Sequence, residues 1–181
     1  MATTNINITA DFNKGIYTQT ASSTVVTGTS EQSLLDGGEG SLTIPANGFA
    51  VGDSFRARMT GHISSANNQT LQIKIKTGSV ILADTGLMTI GTTTSKHFSL
   101  DIEFVIRAIG AAGVASIASG GSFMFNRSGA GGALEGTNFS VENSTTFATT
   151  VNNTLAITAQ WGSSNAANQI YSEIFTLSKV F

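Results

Sequence analysis

His62 and His97 are the two imidazoles in 181 residues, and the chain has no cysteine. No other kind of side chain here has an ordinary pKa between pH 5 and 8. A catalytic imidazole needs a nucleophile or a substrate proton within hydrogen-bond reach. Neither histidine sits beside a nucleophile motif such as G-x-S-x-G, so both are read as ordinary histidines in or beside strands. Asp101 and Glu103 are the best-placed carboxylate pair. Two apart on a strand, they share a face, whereas glycoside hydrolysis needs its pair on opposite sides of a cleft. A solvated strand face is the better account of them.

Asp36-Gly37-Gly38-Glu39-Gly40 offers two carboxylates in a bendable loop. It lacks the alternating Asp/Asn oxygens of a calcium loop, so a plain turn is the stronger reading. Ser128–Gly136 is glycine-rich like a phosphate-binding loop but has no Gly-Lys-Ser/Thr ending. The absence of cysteine removes disulfides, thiolate metal sites and thiol nucleophiles. These residues therefore predict no enzyme, no metal and no cofactor.

The elements carrying these side chains read as strands. In Asp53–Ile63, Phe55, Ala57, Met59 and Gly61 alternate with Arg56, Arg58 and Thr60; in Thr70–Thr77, Leu71, Ile73 and Ile75 alternate with Gln72, Lys74 and Lys76. Such period-two patterning predicts antiparallel strands with one face on a core and the other in water. Ser64–Gln69 is the turn between them. Phe98–Ile109 is the longest expected strand, its core face running Phe98, Leu100, Ile102, Phe104, Ile106 and Ala108. Further strands are expected at Thr24–Thr29, Ser79–Ala83, Gly86–Ile90, Thr154–Gly162 and Ile170–Phe181. Gly86–Ile90 is read as following Ser79–Ala83 through a tight connection. Ala115–Ala118 and Ser122–Asn126 are read as one strand broken at Gly120-Gly121, and Thr137–Val151 as a long loop with a short strand. The sum is an all-β chain of roughly eight to ten antiparallel strands with closely spaced turns, the pattern of a sandwich or barrel. Very long strands mixed with very short ones favour a jelly-roll β-sandwich. Residues 1–20 read as an extended N-terminal arm with room for a short strand, and 21–181 as one domain.

Charged residues make up 11% of the chain and the net charge is −2, against roughly 25% charged residues in an ordinary domain. The basic residues are scattered, and nucleic-acid binding needs them clustered against phosphates, so no direct nucleic-acid contact is expected. The first residues lack the charged and then apolar run of a secretory signal, and the most apolar stretch, Phe104–Ala118, is too short and interrupted to span a bilayer.

Thr43–Ser64 (TIPANGFAVGDSFRARMTGHIS), Asn68–Leu71, Val80–Gly86 (VILADTG), Ile106–Ile117, Thr154–Gly162 and Ile170–Phe181 together resemble the jelly-roll structural proteins of virions. The likeness is strongest to the Thr/Ser/Asn-rich chains of tailed phages and large aquatic viruses. It covers about residues 24–181 and rests on texture and short phrases. The resemblance implies a non-enzymatic capsid or decoration subunit, assembling with itself as a homotrimer and with other virion proteins, made in the host cytoplasm and located in the virion. The alternative is a fibre head that binds a glycan receptor. In that case Trp161 and Tyr171 would stack on sugars, and Asn165 and Asn168, in the loop Ser163–Asn168, would hydrogen-bond them.

Overall fold

The computed structural model describes residues 14–128 and 132–181. These form 13 strands and no helix, in two antiparallel sheets packed as a β-sandwich. The first sheet has seven strands in the order β11 (Leu134–Asn143), β10 (Ser116–Asn126), β9 (Thr93–Ala108), β5 (Ser54–Ser65), β13 (Gln169–Lys179), β1 (Lys14–Gln19) and β3 (Gly38–Gly40). The second has six: β2 (Gln32–Ser33), β12 (Asn153–Trp161), β6 (Gln69–Thr77) and β7 (Val80–Asp84) in order, with β4 (Thr43–Ile44) on β12 and β8 (Met88–Ile90) on β6.

The strongest alternations place their side chains as expected. Phe55, Ala57 and Met59 on β5 and Phe98, Leu100, Ile102, Phe104 and Ile106 on β9 are buried, facing Leu71, Ile73 and Ile75 of β6. The β5–β6 turn reverses at Asn68, whose φ is 59°, a left-handed conformation that asparagine tolerates better than most residues.

Several elements differ from the sequence expectation. The arm assigned to residues 1–20 lies outside the described residues as far as position 13. From Lys14 the chain is strand β1, which pairs with both β13 and β3 and buries Tyr17 and Gln19. Thr24–Thr29 is not a strand but a single bridge, Val26 to Ile170. This segment changes sheets within a few residues. Val26 exchanges backbone hydrogen bonds with Ile170 of β13, and the Gly28 carbonyl then accepts from Trp161 of β12. The crossing closes one open side of the sandwich. β7 and β8 do not pair with each other; both lie on the same edge of β6. Thr85 fills the break between them, its hydroxyl accepting from the Ile73 amide at 2.9 Å.

β10 runs unbroken through Gly120 and Gly121. A Cβ at Gly121 would press on the Asp101 carbonyl oxygen of β9 and lie 2.9 Å from the ring of Phe139 on β11, so the glycine makes room for both flanking strands. Strand β11 occupies ten residues of what reads as mostly loop, because its buried face is thin and its Asn, Ser and Glu carry no strong pattern.

Candidate functional site

Trp161, at the end of β12, has 1% of its surface exposed, and its indole Nε1 donates to the Val26 carbonyl at 3.0 Å. It pins the crossing segment to the core and cannot stack on a sugar. Asn168 is wholly buried, its Nδ2 donating to the Ser163 carbonyl at 3.1 Å and to Gln69 Oε1 at 3.3 Å. It locks the loop 163–168 onto the start of β6. The contact role expected of these two residues is therefore corrected, since burial removes them from any ligand. Asn165 is half-buried and accepts from the Ala167 amide at 2.9 Å, a side-chain-stabilised turn. Tyr171 is half-buried on the outer face of the large sheet.

The structure gathers around Tyr171 residues that are far apart in sequence. β5 aligns His62 with both His97 of β9 and Tyr171 of β13. The imidazoles meet edge to face with centroids 6.2 Å apart, and His62 stacks on Tyr171 at 5.8 Å. A bulge between Ser172 and Ile174 leaves Glu173 unpaired and sends its carboxylate back to His62. Oε2 lies 3.2 Å from Nδ1, out of line for a hydrogen bond. The row can form an ion pair when His62 is protonated. Among the described residues no three histidines or acidic groups are placed to hold a metal ion. Asp36 is absorbed into structure, its Oδ1 accepting from the Gly37 amide at 2.7 Å and its carbonyl from the Tyr17 hydroxyl.

Beside that row runs a lattice of charge pairs. Arg56 pairs with Glu103 and Arg58 with Asp101, at 2.5 Å for the latter, each pair directly across β5 and β9. The two carboxylates share one face, as their spacing requires, and each is engaged by an arginine. Gly120 and Ser122 of β10 leave an open trough of about 410 Å³ beside them. Arg107 meets Glu142 and Arg127 meets Glu135. Sequence spacing finds the face of each side chain, but the pairing partners depend on strand order.

On the small sheet, Glu31 receives the ammonium groups of Lys76 and Lys74, the latter at 3.3 Å, and the Thr158 hydroxyl at 2.8 Å. Hydrogen bonding from Lys76 foremost, helped by Thr158 and Lys74, holds its pKa at about 2, below the usual 4.5. A depressed carboxylate pKa adds stability above the unfolded value that is lost as pH falls through the folded one. Glu31→Gln is therefore expected to lower stability by about 1 kcal/mol at pH 7, in the range of solvent-screened pairs. The deficit shrinks below pH 4.5 and is lost as the pH falls through about 2, which paired urea titrations across that range would show.

No family model, curated protein or solved structure matches this chain. No helix among the described residues is long and apolar enough to cross a membrane.

Proposed function

We propose that this chain is a non-enzymatic structural subunit of a virion, of capsid or decoration type, that works by associating with copies of itself. The observation that supports this most is local charge cancellation. All four arginines are paired with carboxylates, as are Lys74, Lys76 and Lys179, so most of the basic charge on the surface is cancelled where it stands. An unpaired charge buried at a contact is costly, whereas a face whose charges are already satisfied docks on its own copy without like-charge repulsion. The resemblance to jelly-roll virion proteins fits such a subunit and adds the expectation of a trimer and of other virion proteins as neighbours. The fibre-head alternative loses its main stacking platform with Trp161 buried, and Tyr171 is already covered in part by His62.

Light scattering with sedimentation velocity tests the proposal. The expected result is a discrete oligomer at micromolar concentration and above; a strict monomer throughout that range overturns it.

A further inference from the structure

We infer that copies of this chain meet through one particular end of the sandwich, the end built from loops 45–53, 109–115 and 144–152 together with Val180 and Phe181. The inference rests on the self-association proposed above and identifies the surface responsible. Of the 13 large apolar side chains exposed among the described residues, six lie here: Val51, Ile109, Val114, Val151, Val180 and Phe181. Val114 is 65% exposed and Phe181 79%. Scattered single apolar residues are ordinary on a surface, but a contiguous group marks a contact site.

The strand directions force this clustering. β5 begins, β9 ends, β10 begins and β13 ends at this side of the large sheet, so three loops and residues 180–181 converge. They are tied to one another by main-chain hydrogen bonds. The Asn47 amide donates to the Thr149 carbonyl at 2.7 Å, Thr149 to Gly110 at 2.9 Å, Gly52 to Ile106 at 2.8 Å, and Ser54 to Phe181 at 3.1 Å. A platform held this way has little conformational entropy left to lose on docking.

Charge selects the occupant. The three loops carry one charged side chain, Asp53. It is buried, accepts from the Ala50 amide at 2.9 Å and pairs with Lys179 at 2.6 Å. A charged partner has nothing to read on such a surface, and a lipid surface finds no free basic rim around it. A second copy brings the same neutral apolar loops and no repulsion. The glycines and alanines of Gly110–Gly113 allow close approach about the symmetry axis such a contact would have. At the opposite end, loops 64–69 and 163–168 are polar and Asn/Ser-rich.

The test uses the full chain and three variants: Val51→Glu/Val114→Glu, the milder Val51→Ser/Val114→Ser, and Ile174→Glu on the outer face of the large sheet as a control. Oligomer mass is read by light scattering and folding by circular dichroism and thermal melting. The expected result is that the Glu pair raises the dissociation constant at least about 100-fold and the Ser pair about tenfold, the range of central contact residues. The control should assemble like the parent, and monomer melting should be unchanged.

If both loop variants fold and assemble like the parent, this end is not the contact, and self-association through another face stands. If the parent itself is monomeric, self-association fails and this inference with it. Two further results overturn the inference alone. One is that the parent binds neutral phosphatidylcholine vesicles and the Glu pair releases it. The other is that the Ser pair destabilises the monomer at every concentration, which would mean the end is covered from within the chain.

Discussion

Trp161→Ala is expected to destabilise the fold by about 3–5 kcal/mol, the range for deleting a buried aromatic. In a chain of this size that is a fall in melting temperature on the order of 10 °C. The cost has two sources. The indole is among the largest fully buried side chains, so its removal leaves a cavity in the core beneath the segment that carries Val26. Its Nε1–H also holds the Val26 carbonyl, the anchor of the segment that crosses from β13 to β12. Trp161→Phe separates the two by keeping most of the volume and losing the donor. It should recover more than half of the loss, because Val26 still accepts from the Ile170 amide at 3.1 Å. Thermal melts of both variants measure this. A Trp161→Ala protein with unchanged melting would show the residue to be outside the core, and would restore it as a candidate ligand contact.

Gly61→Ala, a change of one methyl group, should cost about 3 kcal/mol, at the upper end for overpacking a core. Gly61 lies on β5 between Phe98 and Ser172 on the flanking strands. A Cβ there would stand 2.7 Å from Ser172 Cα, 2.9 Å from the Phe98 ring, and closer still to the Tyr171 carbonyl oxygen. Even a shift of the Phe98 ring would not relieve the clash, because the backbone of β13 cannot move without breaking the ladder beside the Glu173 bulge. Shrinking the ring with Phe98→Leu should therefore fail to rescue Gly61→Ala. Gly28→Ala is the control. A Cβ there meets nothing within 4 Å, and the change should be neutral or slightly stabilising. Urea midpoints for the four proteins decide it, and a Gly61→Ala midpoint equal to the parent's would refute the crowding argument.

Both residues owe their weight to packing that the local sequence pattern does not encode. The alternation puts Gly61 on the core face correctly, but nothing in the local pattern says that a neighbouring strand presses on it. Trp161 lies on an alternating strand, which suits a core role, while its place at the strand end equally suits sugar stacking. Only the packing of the 20–31 segment over it closed that option. Asn168 is the sharper failure. A loop asparagine among serines looks exposed, and its burial follows from contacts with Ser163 and Gln69 that no spacing rule predicts.

By itself the sequence determined the all-β class, the long strands β5, β6, β9, β12 and β13, and the face each of their side chains occupies. Those features depend on period-two alternation, which is a property of neighbouring residues. The tertiary structure alone decided which strands lie side by side, and hence that Arg56 meets Glu103, that His62 meets both His97 and Tyr171, and that uncharged loops remote in sequence gather at one end. Register and strand order are set by contacts between distant segments, and a linear pattern carries no record of which edge a strand will join.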